Sequence, residues 1–163
     1  MIEFYKPFRL FSEEEIKDLV SQIGQLGPAG VTQANRPNPR IRTNMIFWLE
    51  PDQVLDHKLW RLVIPDRPYL TWYQRPIQIS VYRKGEHYDW HHDVIANRTS
   101  RRAVTLTATL KTAENARLEV KDRIYDLDQG EAVVFPSEDL HRATAPLEGE
   151  RIALTVWYMQ PNK

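Results

Sequence analysis

The chain of 163 residues contains no cysteine. Disulfides, thiolate metal ligands and a cysteine nucleophile are therefore excluded, and this absence leaves the compartment open. Net charge is lacking too, because 22 basic residues balance 22 acidic ones. No overall field draws the protein to nucleic acid or to an anionic membrane, although the total leaves room for a local patch. No apolar run approaches the ~20 residues of a membrane helix. The opening residues, Met-Ile-Glu-Phe-Tyr-Lys, have no signal-peptide layout. With 42% hydrophobic and 27% charged residues the composition is that of a globular protein. The length suits one domain over 1–163, large enough to bury a real core. The expectation is a cytoplasmic enzyme or binding protein.

What is present begins with a scaffold. Phe4, Phe8 and Leu10 alternate with charge and predict a strand within 2–10. Ser12 and Glu15 form a capping box, and Ile16, Leu19, Val20 and Ile23 repeat at helical spacing behind it. From Gly27 to Arg40 three prolines and two glycines deny regular structure. Arg36, Arg40 and Arg42 lie in or beside this loop and can meet an anionic substrate. Ile46 to Leu49 read as a buried strand. Pro51 opens a second helix whose apolar side is Val54, Leu55, Leu59, Leu62 and Val63, with His57 exposed on it. Helical support thus spans 12–64.

After Pro76 the pattern turns to β structure. Ile77, Ile79 and Val81 alternate with Gln78, Ser80 and Tyr82. Val104, Leu106, Ala108 and Leu110 alternate with Thr105, Thr107 and Thr109. Ile152, Leu154, Val156 and Tyr158 alternate with Arg151, Ala153, Thr155 and Trp157. One face of each strand can pack on the helices, and the other can line a hydroxyl-rich interior. Shorter strands at 117–120, 123–127 and 131–135 complete the pattern of a sandwich or jelly roll.

Metal-type side chains fall inside this β region. Three of the five histidines lie between Tyr82 and Asp93, and His141 follows Asp93 by 48 residues. Two imidazoles and one carboxylate, with positions left open, suit Fe(II) that must also take a co-substrate and oxygen. His91, Asp93 and His141 are the expected set. In an extended strand residues two apart share a face, roughly 6.5–7 Å apart, so His91 and Asp93 can converge while His92 points away. His87 and Asp89 have the same spacing, and a straight strand would put 87, 89, 91 and 93 on one face. Spacing alone leaves both pairs open.

The segment Tyr82-x-x-Gly85-x-x-Tyr88-x-x-His91-x-Asp93, followed by Gly130-x-x-x-x-Phe135-Pro136-Ser137, His141, Gly149-x-Arg151 and Trp157, resembles the 2-oxoglutarate/Fe(II)-dependent dioxygenases, in their prolyl-4-hydroxylase-like branch. The likeness covers about residues 77–158. It implies a mainly β fold with flanking helices: a double-stranded β-helix, or jelly-roll, core with the N-terminal helices packed on the major sheet. It favours His91 and Asp93 over His87 and Asp89. It implies Fe(II) on His91, Asp93 and His141, which are also the catalytic residues. Arg151 is then expected on the far carboxylate of 2-oxoglutarate, with Tyr82 and Thr105 or Thr107 as hydrogen-bonding partners. Oxygen is the other co-substrate, and ascorbate is an accessory reductant in this reading. The implied reaction releases succinate and CO2 and hydroxylates an unactivated C–H bond, of a prolyl or other residue in a protein or peptide. The presence of Asp93 argues for hydroxylation over halogenation. Tyr88, Trp90, Arg36, Arg40 and Arg98 are the expected substrate contacts, with 94–102 as a lid.

Two departures stand out. Glu114-Asn-Ala-Arg117-Leu-Glu119-Val120 occupies the region where many relatives carry Gly-Gly-Glu-Leu. Arg151 stands where collagen-modifying members usually have Lys. Alternatives are the same chemistry on a free amino acid or other small molecule, and a non-catalytic jelly-roll module that binds a metal or ligand. Base repair would call for a more basic surface.

Overall fold

The computed structural model describes residues 1–26 and 42–163. The first strand is much shorter than the alternation predicts: β1 is Phe8–Arg9 alone. Tyr5 has a positive φ of 67° and Pro7 offers no N–H, so the ladder cannot extend upstream. The first helix is as the capping box predicts. α1 spans Glu13–Ile23, with the Ser12 side chain accepting from the Glu15 N–H and Glu15 closing back on the Ser12 N–H. The predicted loop at 27–40 lies outside the described residues, as do Arg36 and Arg40.

β2 is Met45–Leu49. α2 spans Gln53–Val63, and its N-cap is Asp52, one residue beyond the proline, accepting from the Leu55 N–H. Leu55, Leu59 and Val63 are buried, whereas Val54 points to solvent at 77% exposure. Val54 sits in the first turn, about 100° around the helix from Leu55, and so leaves the apolar stripe. His57 is exposed.

The remaining strands are β3 Trp72–Tyr73, β4 Ile77–Tyr82, β5 Tyr88–His91, β6 Ser100–Lys111, β7 Leu118–Val120, β8 Arg123–Tyr125, β9 Glu131–Pro136, β10 His141–Ala143 and β11 Arg151–Pro161. They form two antiparallel sheets. The larger has the order β1-β9-β6-β11-β4-β2, with β3 paired to β11, and the smaller has β5-β10-β7-β8. This is the jelly-roll arrangement of a mainly β protein.

Period-two alternation decides what each face meets. Ile77, Ile79, Leu106, Leu110, Leu154 and Val156 join Ile16, Leu19, Leu55 and Leu59 in one core, so both helices pack on the major sheet. On the opposite face Val133 and Phe135 pack against Leu118, Val120 and Tyr125 of the minor sheet. Gln78, Ser80, Thr105, Thr107, Thr109 and Arg151 lie on that same inner side and are all buried. The polar faces therefore look between the sheets and not to solvent.

Gly130 holds the entry of α1 to this framework. Its φ is +90°, and its carbonyl accepts from Leu10 and Phe11. A Cβ there would lie 2.6 Å from the Phe11 carbonyl oxygen and 2.7 Å from the Arg9 guanidinium. Gly85 shares the positive φ, at +79°, but a Cβ there would meet nothing within 4 Å. Gly85→Ala is expected to cost about 1 kcal/mol, the backbone term alone. Gly130→Ala is expected to cost at least ~2 kcal/mol more, because rigid backbone must shift. Urea denaturation of the two variants checks this, and equal costs would contradict it.

Candidate active site

The site is set by the pairing of β5 with β10. His91, the last residue of β5, faces His141, the first of β10, while Tyr88 faces Ala143. Three steps along β5 match two along β10, so the strand is bulged. Such a bulge re-aims side chains. Here it turns both Tyr88 and His91 inward, although residues three apart on a straight strand face opposite ways. The rings of Tyr88 and His91 stack, with centroids 3.5 Å apart and an interplanar angle of 8°.

The straight-strand geometry expected for His91-x-Asp93 is thus corrected. β5 stops at His91, and the Asp93 N–H donates to the Ser137 carbonyl at 2.8 Å. This contact turns the chain toward the major sheet. There Thr105 on β6 donates to Asp93 Oδ2 at 2.9 Å and shares a second 2.9 Å hydrogen bond with Ser137. His87 lies before the strand, bonded to Thr43. Asp89 is exposed and caps the Trp90 N–H. Neither converges on the other three, and His92 faces solvent.

His91, Asp93 and His141 each bring one ligand atom within 4.8 Å of the others. His91 Nε2 is 3.5 Å from Asp93 Oδ1, and His141 Nε2 is 3.2 Å from Oδ2. Each imidazole Nδ1 faces a main-chain carbonyl, His91 that of Asp89 at 2.6 Å and His141 that of Asp139 at 2.9 Å. A carbonyl only accepts, so both Nδ1 atoms carry hydrogen and both Nε2 atoms are aimed at the carboxylate. Metal-ligating histidines are oriented in this way. The donor set, its spacing and its fixed tautomers fit one divalent ion with open positions.

Burial pushes the His91 imidazole down to about 4, helped by the His141 charge and opposed by Asp93. Burial alone would raise the Asp93 carboxyl. The hydrogen bond with His141 and the charges of both histidines outweigh it and hold Asp93 well below the usual range. The nearby Trp157 indole N–H lowers it further, although it is buried beyond ordinary hydrogen-bond reach of any partner among the described residues. His141 moves upward: burial opposes protonation, and Asp93 more than compensates.

Arg151 opens β11 opposite Tyr82 on β4. It is 3% exposed, and its guanidinium lies 5.5 Å from the Tyr82 ring. No carboxylate lies within ion-pair distance among the described residues, and residues 27–41 contain no Asp or Glu. The Thr109 hydroxyl on the same inner face is buried with no hydrogen-bond partner among the described residues. Thr107 is buried on that face as well, whereas Thr105 is already committed to Asp93 and Ser137. Of the expected substrate contacts, Tyr88 lies at the histidines. Trp90 is 41% exposed beneath Arg142, and Arg98 is exposed in the turn closed by Asn97 and Ser100.

A family model described as the 2OG-Fe(II) oxygenase superfamily matches residues 77–159, just over half of the chain. The chain belongs to this superfamily. A PKHD-type hydroxylase of Idiomarina loihiensis is 30% identical over 97 residues, covering 53% of this chain and 44% of that protein. The chain thus spans less than half of that relative's length. The viral collagen prolyl hydroxylase of Paramecium Bursaria Chlorella virus-1, solved with 2-oxoglutarate, has the same fold at a TM-score of 0.76. It is 18% identical, with 97% of both chains covered. A Trichoplax adhaerens prolyl hydroxylase, solved with a hypoxia inducible factor peptide, aligns at 0.68 with 20% identity, over 95% of this chain and 83% of that one. Oxygenases of this superfamily use Fe(II) and 2-oxoglutarate, and the His-Asp-His cluster fits the iron.

Three features of this site escape sequence reasoning. They are the Ser137 and Thr105 contacts to Asp93, the unpartnered Thr109 hydroxyl, and the β5 bulge. Thr109 belongs to the alternation of Thr105 and Thr107, but only the two-sheet packing reveals which hydroxyl lacks a partner. An ion binding at these histidines competes with protonation of His141, which Asp93 favours. Mn(II) affinity measured by calorimetry between about pH 6 and 8 is therefore expected to weaken on acidification, by up to about tenfold per pH unit. Constant affinity across that range would contradict this.

Proposed function

We propose that the chain is an Fe(II)- and 2-oxoglutarate-dependent hydroxylase acting on an unactivated C–H bond, of a prolyl or other residue in a protein or peptide. Succinate and CO2 are the co-products. The reading is carried by one observation: a compact His91–Asp93–His141 cluster and a buried guanidinium without an acid, Arg151, share the inner face between two sheets. The resemblance in fold to two prolyl hydroxylases, one solved with 2-oxoglutarate and one with a peptide, supports it.

Iron and 2-oxoglutarate together activate oxygen for attack on carbon when bound. The protein's own residues position and protect. His91, Asp93 and His141 hold the metal. The carbonyls of Asp89 and Asp139 fix the two imidazole tautomers. Thr105 and Ser137 orient the carboxylate of Asp93. A buried cation without a counter-ion is costly, and the far carboxylate of 2-oxoglutarate supplies that counter-ion to Arg151. The planar fork of Arg151 suits two-point carboxylate binding. Thr109 and Tyr82 stand ready to donate to the same carboxylate.

With Fe(II) and 2-oxoglutarate, the purified protein is expected to form succinate slowly without a prime substrate. His91→Ala and His141→Ala should abolish this. Absence of succinate while metal is bound would favour a non-catalytic binding module. Arg151→Ala is expected to weaken 2-oxoglutarate binding by about 3 kcal/mol, on the order of a hundredfold, through loss of a charge-assisted bidentate contact. Unchanged affinity, read by calorimetry, would remove Arg151 from that role.

A further inference from the structure

Some arginines away from the site are matched with acids, whereas Arg9, Arg61, Arg98, Arg101 and Arg123 are exposed to solvent. Arg75 meets Asp56, Arg83 meets Glu150 and Arg142 meets Glu119. At the site two shielded arginines have neutral partners. Arg42 is 9% exposed, and its recorded partners are neutral: Nε donates to Asn44 Oδ1 at 2.8 Å and Nη2 to Ser80 Oγ at 3.4 Å. Its guanidinium lies 3.9 Å from the centre of the Tyr88 ring, and the same ring stacks on His91. Arg102 lies 3.6 Å over Trp157, and its Nε donates to the neutral Gln74 Oε1 at 3.0 Å. No carboxylate lies within 4.0 Å of either arginine among the described residues. The stretch 27–41 has none to offer.

The two cations border the same small region. The charges of both Arg42 and Arg102 bear on the Tyr88 hydroxyl, and Asp93 is the acid whose charge reaches Arg102. Asp93 is already taken by His91, His141 and Thr105. A divalent ion adds positive charge, and 2-oxoglutarate has its far carboxylate at Arg151. Arg42 and Arg102 are then left without a counter-charge beside the reacting position. Burying unpaired cations is tolerated where a ligand completes the pair.

Building on the hydroxylase reading, we propose that the prime substrate is an anion whose carboxylate is clamped by Arg42, with Arg102 as the second cation bordering the site. The planar guanidinium on the open face of Tyr88 is held by its two neutral hydrogen bonds in a fixed orientation, which suits a two-point contact with such a group. The carboxylate belongs either to a small acid or to an acidic side chain beside the residue hydroxylated in a peptide.

Acetate is the first probe. The protein is loaded with Mn(II) and 2-oxoglutarate, so that nothing turns over and Arg151 is paired. Loading is verified by the Mn(II) resonance, and protein that fails to load refutes the hydroxylase reading. Loaded protein is then titrated with acetate against chloride at constant ionic strength, with tryptophan fluorescence as readout. Saturable binding is expected, weakened about tenfold or more in Arg42→Gln and in Arg102→Gln, with partial recovery in Arg42→Lys. A loaded protein that does not distinguish acetate from chloride, or an undiminished response in both Gln variants, overturns the proposal and leaves the hydroxylase reading intact. If Arg42→Gln does not fold, Arg102→Gln gives the answer. L-Proline against L-prolinamide, and acetyl-Pro-Asp-amide against acetyl-Pro-Asn-amide, separate the two sources. Tighter binding of the acid in the first pair indicates a small molecule, and in the second an acidic peptide. Equal binding within both pairs overturns the proposal.

Discussion

The bulged pairing of β5 with β10 is the constraint on which the site depends. It places His91 opposite His141 and brings Tyr88 to the same side. Two main-chain carbonyls then orient the imidazoles, and a third, that of Ser137, draws Asp93 across to the major sheet. The His-Asp-His triad therefore sits at the junction of the two sheets, held by backbone contacts more than by long side chains. Sites built on such fixed elements keep their geometry before any ligand arrives.

Around that junction the sheets divide the labour. The helix-facing side of β4, β6 and β11 is apolar but for the Tyr158 hydroxyl, which donates to the Leu59 carbonyl, and it fastens α1 and α2. The inner side carries satisfied hydroxyls such as that of Thr105, and also two groups left unmet among the described residues. Thr109 lacks a hydrogen-bond partner, and Arg151 lacks an acid. Because buried polar groups are normally satisfied, these gaps are what the proposed co-substrate carboxylate would fill.

Much of this was legible from residue order. The capping box at Ser12 and Glu15 located α1, and the alternation in 77–82, 103–110 and 151–158 located the central strands and both of their faces. The His-x-Asp, distal His and Arg151 pattern pointed to the superfamily that the family model shows. Other features had no local signal. The positive φ of Tyr5 follows from docking of the N-terminal segment, where its N–H meets the Val134 carbonyl and its hydroxyl meets Asp139. The β5 bulge arises from pairing with a strand about fifty residues away. Thr105 could be placed on the inner face, but its commitment to Asp93 depends on a turn that no periodicity encodes.

The central claim is that one ion is shared by three donors beside a guanidinium awaiting a carboxylate. Crystals grown with Mn(II) and 2-oxoglutarate test it directly through anomalous scattering. The account predicts a single strong peak bounded by the two Nε2 atoms and the Asp93 carboxylate, with the far carboxylate of the co-substrate on Arg151. A peak elsewhere, or a co-substrate turned away from Arg151, would contradict it.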